Sequence, residues 1–504
     1  MTWVELFFLA TYFLVLFILS VYGSHRYVMA YLYYKYKGNL PTPKGRFQTL
    51  PRVTIQLPIF NEMYVVERLI DAVAGIEYPR DRVEIQVLDD STDETQGIAR
   101  AKVERLKRDG VAIAYIHRDN RQGYKAGALQ EGLKIATGEL VAVFDADFVP
   151  TKDFLRRSVH HFTDEKVGMV QVRWEHLNRD SSHLTQAQAI FLDGHFVIEH
   201  TARNRSGRFF NFNGTAGVWR RETISDAGGW QHDTLTEDLD LSYRAQLKGW
   251  QFVYLPEVVS PAEVPVEMNA FKSQQHRWAK GSIQTARKLL PRILRSDLPR
   301  EVKTEAFFHL TANLTYPLMI LLTILMPVSM VIRFKHGWYE VLVLDLPFFW
   351  TATMSVVVFY IASQREIGMP LWQRIKYLPF IMALGIGMCV NQSKAVIEAL
   401  VGYETGFTRT PKMGLNGGRD KSWVKKRYRT LLTAQPLLEL ALGAYLTSAI
   451  YFALDKGVYF SLPFLLLFQW GFFYVGFVSL LQGRAAAVLR WLRRPAADAA
   501  PAVE

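Results

Sequence analysis

Residues 3–22, WVELFFLATYFLVLFILSVY, carry one charge, Glu5. About twenty such residues in helical form match the hydrocarbon thickness of a bilayer, which leaves the segment few places in a water-soluble fold. No basic stretch precedes it and no small-residue cleavage site follows, so it does not read as a removable signal peptide. His25, Arg26, Lys35, Lys37 and the aromatic run YLYYKY come next, the composition of an interfacial belt with positive charge on the cytoplasmic side. Residues 1–34 are therefore expected to form a transmembrane helix in the plasma membrane, with the N-terminus outside and residue 40 onward in the cytoplasm.

Apolar spans return after residue 305, at about 307–332, 346–363, 379–401, 430–453 and 458–481. The third carries Asn391, Gln392, Lys394 and Glu398, a costly set to face lipid. The tail LRWLRRP is basic and expected inside. An even number of crossings must then separate it from residue 40 onward. Segment 379–401 is accordingly expected to lie along or dip into the cytoplasmic face, leaving five crossings in the chain. The last residues, 484–504, end in AADAAPAVE and are expected to be disordered. The net charge of +12 raises nucleic acid as a partner. Its main basic runs, RKLLPRILRSDLPR, KSWVKKRYR and LRWLRRP, instead flank apolar spans, where membrane lipids are the matching partner. With Cys389 the single cysteine, neither an intramolecular disulfide nor a cysteine-based metal cluster can form.

Residues 40–305 read as one soluble α/β domain. RVTIQLPIF, RVEIQVLDD, AIAYIHRD, ELVAVFDAD and VGMVQVRW are strand-like. Helical patterns follow the first three, from about Glu62, from Asp93 to about Arg108 and from Lys125 to about Ala136. Continuous apolar strands alternating with helices imply a mainly parallel sheet covered on both faces. Ligands of such sheets bind beyond the carboxyl ends of the strands. Acids sit at two of those ends, Asp89 with Asp90 and Asp145 with Asp147. Two carboxylates spaced as D-x-D suit a hard divalent cation, Mg²⁺ or Mn²⁺, that takes its other ligands from phosphate. A strand-end turn also favours Asp; it is the repetition at neighbouring ends that favours a nucleotide-diphosphate site.

Other segments add candidates of the same kind. LPIFNE brings Asn61 and Glu62 to the end of the first strand, either to cap the next helix or to hold a nucleoside. RQGYKAGAL opens a helix with Lys125, either an anion site or an ordinary helix start. In FNFNGTAGVWRR, Asn213, Gly214 and Thr215 form a small polar loop of the kind a carbohydrate subsite needs. TEDLDLSYRAQLKG reads as a helix with Thr236 as N-cap and Glu237 and Asp238 in its first turn. A carboxylate there either serves the helix dipole or takes a proton from a sugar hydroxyl. QQHRW sets Gln274 and Arg277 three apart, with Trp278 beside them. On a helix these share a face and present a guanidinium fork for phosphate with a flat ring for a sugar.

In this order, LPIFNE, IQVLDDSTD, GYKAGAL, VFDADF, FNGTAGVWR, TEDLDL and QQHRW resemble the membrane-embedded family-two glycosyltransferases. They resemble most the cellulose-synthase-like enzymes of the plant branch that makes mannan and glucan backbones. The resemblance covers about residues 50–290 strongly and continues weakly into the membrane part. There TGFTRTPKMG (405–414) looks like the family's gating loop: Phe407, Thr410 and Lys412 match its F-x-V-T-x-K pattern, and Arg409 stands where the family has Val.

The resemblance implies a GT-A-like nucleotide-sugar domain over 40–305 and a helical transmembrane or channel region over 306–483, with the gating-like loop at 403–425. It places Asp89 and, more closely, Asp90 at the base and ribose, with Asn61 and Glu62 also on the nucleotide sugar. Lys125 meets the diphosphate, and Asp145 and Asp147 hold the metal. Gln274 and Arg277 bind the leaving diphosphate, assisted by Thr410 and Lys412 of the loop. Asp238, with Glu237 beside it, serves as catalytic base, and Asn213, Gly214, Thr215 and Trp278 bind the acceptor. The implied reaction is inverting, processive transfer from UDP-glucose, the first expectation, or from GDP-mannose. The growing β-linked polysaccharide would leave through the membrane spans, with or without an export partner. A lipid glycosyltransferase acting on ceramide or polyprenyl phosphate shares every motif up to Trp278, and a nucleotide-sugar sensor would share the binding motifs without needing Asp238.

Overall fold

A computed structural model describes residues 1–338, 341–404, 406, 409–415, 426 and 434–492 of the chain. The expectations attached to Phe407, to most of 416–433 and to the tail beyond residue 492 lie outside the described residues.

Leu140 to Val143 shows how the sheet forms. Side chains alternate between faces of a strand, and here Leu140 and Ala142 enter one core while Val141 and Val143 enter another. An apolar run without polar alternation thus buries both faces. Seven strands assemble on this pattern: β1 (Val53–Ile59), β2 (Val83–Asp89), β3 (Ile113–His117), β4 (Leu140–Val143), β5 (Val167–His176), β6 (Gly217–Arg220) and β7 (Gln251–Ala262). Their order is β3-β2-β1-β4-β6-β5-β7. Pairings β1·β2, β1·β4, β2·β3 and β5·β7 are parallel, and β6 alone runs against its neighbours β4 and β5. Six carboxyl ends therefore point one way.

The first five strands lie where the sequence places them; β6 and β7 are additions. β6 is four residues long, and β7 contains Pro256 and Pro261, residues that argue against a regular strand. The chain accommodates them by a register slip: Val172 pairs with Leu255 and the next residue, Arg173, with Val259. β4 also ends at Val143, so Asp145 and Asp147 stand on the turn beyond the strand. The helix expected from about Glu62 begins at Val66, with neither Asn61 nor Glu62 capping it. The Glu237–Leu247 helix has no side-chain cap from Thr236, whose hydroxyl instead lies 3.4 Å from that of Thr285. Tertiary contact with the neighbouring helix has displaced the local capping bond.

Among the described residues, five helices are long and apolar enough to cross a membrane: Trp3–Tyr36, Arg300–Lys335, Leu344–Glu366, Gln435–Asp455 and Tyr459–Gln482. A further pair, Leu371–Gly387 and Cys389–Val401, is bent by 41° and makes up to six if counted as one span. Of its polar set, Asn391 and Glu398 face protein, whereas Lys394 is exposed. Asn391 Nδ2 donates to the Lys272 carbonyl at 2.9 Å, and the Glu398 carboxylate meets His276 at 2.9 Å and Lys280 at 3.0 Å. Their partners all lie on one helix, Met268–Arg295, which carries QQHRW between the sheet domain and the membrane helices. The last helix continues to Leu492, so residues 484–492 are helical where disorder was expected. GRAAAVLRWL is rich in strong helix formers, which extend the preceding span.

Candidate active site

The strand ends open into one cleft, roofed by the Met268–Arg295 helix and by residues 409–412. Its lining includes Glu62, Asp90, Lys125, Asp145, Asp147, Asn213, Gly214, Glu237, Asp238, Gln274, Arg277, Trp278, Thr410 and Lys412. Residues spread over 350 positions of chain, singled out separately in the sequence, therefore meet. Asp89, Asn61 and Thr215 do not line it; each braces something that does. Asp89 is fully buried, accepting from Ser91 N–H at 2.9 Å and Tyr115 O–H at 2.7 Å. Asn61, held at a positive φ of 54°, ties the end of β1 to that of β2: its Oδ1 accepts from Thr92 N–H at 2.8 Å. Thr215 Oγ1 accepts from the Asp145 N–H at 2.9 Å and so fixes the acidic turn.

At the β1–β2 end of the cleft Asp90 is gripped by Arg118, whose Nε lies 2.8 Å from Oδ1. The Arg121 guanidinium stacks on Phe60 at 3.3 Å from the ring centre. Asn61, Arg121 and Tyr124 here are three of the four non-glycine residues with positive φ among the described residues. Strained backbone of this kind gathers where a fold holds side chains against a ligand.

At the centre, Lys125 Nζ donates to Asp145 Oδ1 at 2.5 Å and to the Gly214 carbonyl at 2.8 Å. Burial opposes its charge, but Asp145, Glu237 and Asp238 outweigh that and hold its pKa above the ordinary lysine range. Gly214 has φ +80°, and a Cβ there would sit 2.9 Å from Asp238 Oδ2. Only glycine lets the loop approach that carboxylate so closely. Asp238 Oδ1 accepts its neighbour's N–H, from Leu239, at 2.8 Å, and Oδ2 faces Gly214. Burial, then the Glu237 charge, raise the Asp238 pKa well above the carboxylate range. Burial raises Glu237 in the same direction. A carboxyl so poised titrates near neutral pH, where a general base works best.

Gln274, Arg277 and Trp278 share the face of the Met268–Arg295 helix that lines the cleft, as their spacing predicts. The helix can come this close because of Gly281: a Cβ there would meet Thr236 at 2.5 Å. Gln284 Oε1 completes the joint by accepting the Leu235 N–H at 2.9 Å. Trp278 faces Trp174, ring centres 6.5 Å apart, and Trp174 packs on Phe196 and Phe148. Together they build an aromatic wall. Arg277 Nη2 donates to Thr410 Oγ1 at 3.1 Å, and Lys412 Nζ reaches Asp147 Oδ2 at 2.7 Å. Arg409, the departure from the loop pattern, lies 3.5 Å from Glu62. Burial pushes the Glu62 carboxyl up to about 8, with Arg409 and Lys412 pulling it back.

Trp174, His176 and Glu263 also line the cleft and were not singled out in the sequence. Trp174 and His176 sit two apart on β5 and therefore on one face, a signal present but unremarkable in a strand. Glu263 follows a proline-interrupted strand and has no local pattern.

Among the described residues, seven carboxylates against five Lys and Arg side chains line the cleft. Lys125 and Lys412 stand on Asp145 and Asp147, so both acids already present oxygen to a cation. Among the described residues no group of three or more His, Cys, Asp or Glu is arranged to enclose an ion. Two hard oxygens in a negative cleft, with most ligands left to a bound diphosphate, fit Mg²⁺ or Mn²⁺.

Residues 51–281 match the family model described as "glycosyltransferase like family 2". The chain is 34% identical over 449 residues to glucomannan 4-beta-mannosyltransferase 7 of Arabidopsis thaliana, covering 85% of this chain and 76% of that one. It is 46% identical over 259 residues to glucomannan 4-beta-mannosyltransferase 1 of Oryza sativa subsp. japonica, covering 50% of each; that match spans about half the relative's length. A mannosyltransferase from Pyrobaculum calidifontis, solved in complex with GDP-Man and Mn2+, shares the fold with TM-score 0.51 and 23% identity, covering 70% of this chain and 98% of that chain. The chain thus belongs to the family-two glycosyltransferases, in the cellulose-synthase-like group with the plant glucomannan 4-beta-mannosyltransferases.

Proposed function

We propose that this protein is an inverting, processive glycosyltransferase that elongates a β-linked mannan or glucan backbone from a nucleotide sugar. The observation that carries the reading is Asp238: its Oδ2 faces Gly214 beside the Lys125–Asp145 pair, in one cleft with Arg277 and Trp278. The donor proposed is GDP-mannose in place of UDP-glucose. The names of the plant relatives move the sugar to mannose, and the archaeal neighbour was solved with GDP-Man.

In this reading Trp278 and Trp174 stack the acceptor sugar, and Asn213 and Gly214 bound its subsite. Asp238 takes the proton of the acceptor hydroxyl as its oxygen attacks the anomeric carbon. The bond from that carbon to the diphosphate breaks on the opposite side, which inverts the centre and needs no covalent sugar–enzyme intermediate. Lys125, Arg277 and Lys412 face the negative charge that grows on the departing diphosphate. Asp145 and Asp147 would hold a divalent cation, which when bound supplies further charge stabilisation to that diphosphate. The catalytic domain is assigned to the cytoplasmic side of the plasma membrane, and the membrane helices are assigned the path by which the polymer leaves.

Purified protein in lipid nanodiscs, given GDP-mannose with Mg²⁺ or Mn²⁺, should release GDP and accumulate a polymer that lengthens with time, and given UDP-glucose it should release UDP more slowly. Excess chelator should stop it. A single-sugar lipid product would establish the lipid-glycosyltransferase alternative, and nucleotide binding without turnover would establish the sensor.

A further inference from the structure

Glu263 lies just beyond the end of β7, is 5% exposed, and makes more directed contacts than a lining residue requires. Both carboxylate oxygens are occupied by a segment about 150 residues away. Oε2 accepts the Met413 N–H at 3.0 Å and Oε1 the Leu415 N–H at 2.8 Å. The left-handed turn at Gly414, φ +63°, brings the two flanking N–H groups onto one carboxylate. Arg68 Nη2 donates to Oε1 at 2.6 Å, and its Nη1 donates to the Leu415 carbonyl at 3.3 Å. Met413 and Leu415 are buried with Val266 beneath this bracket. The same residue reaches the acidic turn: the Glu263 N–H donates to Asp147 Oδ2 at 3.2 Å, the atom Lys412 Nζ occupies at 2.7 Å.

We propose that Glu263 is a positioning residue that docks residues 411–415 over Asp147, so that seating this segment and readying the diphosphate site are one event. Three observations support the coupling. Lys412 immediately precedes Met413, whose N–H Glu263 holds, so releasing the bracket withdraws a cation from the diphosphate end of the cleft. Asp147 shares one oxygen between Glu263 N–H and Lys412, so the acid and the segment cannot shift independently. Bonds from N–H to a carboxylate are charge-assisted and about twice as strong as neutral ones, and here two of them converge with an Arg on one buried group. The coupling to donor rests on the glycosyltransferase reading above; the docking itself does not.

The test uses full-length protein in nanodiscs carrying Cys389→Ser and Met413→Cys, so that a thiol reagent reports exposure of the segment. Glu263→Gln keeps the shape but turns one acceptor oxygen into a donor facing an N–H. Without nucleotide, it should be alkylated at least about tenfold faster than the Glu263 parent, as expected for losing one charged hydrogen bond. In the Met413 protein it should raise the KM for GDP-mannose about tenfold, with kcat changed less. An unchanged alkylation rate overturns the docking. Faster alkylation with an unchanged KM, or a fall in kcat alone, overturns the coupling. Should Glu263→Gln fail to fold, judged by its melting curve, Gly414→Ala provides the second route. Its Cβ would meet the Tyr64 carbonyl at 2.5 Å in a left-handed backbone, so it should undock the segment with Glu263 intact; normal alkylation of that variant overturns the docking. If the unmutated protein does not turn over GDP-mannose, the donor reading fails while the alkylation arm still decides the docking.

Discussion

Two of the places where this molecule buries ion pairs are built on opposite terms. Among the membrane helices Arg333 is fully buried and forks onto Asp345 at 3.0 and 2.9 Å, while Tyr12 O–H donates to the same carboxylate at 2.8 Å. Among the described residues, carboxylates outnumber cations in the strand-end cleft, and Glu62 Oε2 is buried with no hydrogen-bond partner. The Asp238 pKa is displaced toward neutrality. Matched pairs hold helices in register, whereas surplus charge held by a rigid fold is poised to act on a ligand. The same matching extends over the basic run RFKHG at 333–337. Arg333 is neutralised by Asp345, and Lys335 and His336 both reach Glu5, at 2.8 and 3.1 Å.

The largest effect should come from the cleft. Asp238→Asn should lower kcat by about 10²–10⁴ and leave nucleotide affinity, read by calorimetry, nearly intact; parallel loss of both would make Asp238 structural. Its pH dependence has a definite sign. A base must be deprotonated, and the raised pKa means protons bind it at higher pH than an ordinary carboxylate. Activity should therefore be full above that pKa and fall as pH drops through it, an acidic limb displaced toward neutral and absent from nucleotide binding.

The membrane pair should answer in stability. Asp345→Ala leaves Arg333 buried and uncompensated and should cost about 3–5 kcal/mol, measured as thermal unfolding in detergent. Replacing both partners with Leu and Met should recover most of it. Full activity in the double variant and loss of activity in Asp238→Asn would keep the two regions distinct; a catalytic defect in the double variant would merge them.

Within the cleft a smaller difference is expected. Trp278→Ala should weaken acceptor use and polymer yield by about tenfold, the scale of one lost aromatic contact, more than it weakens donor affinity. Arg277→Ala should do the reverse, and equal effects on both would erase the division along the QQHRW face. The last measurement asks only for a direction. Gly414 is unsuited to carry a reporter, given its turn and the close Tyr64 carbonyl. Glu404, which is exposed, is the better position: Glu404→Cys in the Cys389→Ser background should resist an impermeant thiol reagent in intact cells and react once they are opened. Labelling in intact cells would put the cleft on the wrong side of the membrane.

Local chemistry made much of this legible. Strand runs such as LVAV, the acids at strand ends, and the three-residue spacing of Gln274 and Arg277 depend on periodicity and on the next few residues, so they can be read in order along the chain. The spans of apolar residues are equally local, because a bilayer asks only for length and hydrophobicity. Tertiary structure decided which of those candidates face the cleft and which brace it. Asp89 and Asp90 are adjacent, yet one is sealed beneath Tyr115 and the other lines the cavity. Thr236 carries the signature of a helix cap, but contact with the Met268–Arg295 helix claims its hydroxyl. Glu263 has no pattern of its own and acquires its place from partners 116 and about 150 residues away. Those outcomes turn on which long-range neighbour takes a hydrogen bond or fills a volume, a competition that is settled only when the whole chain has packed.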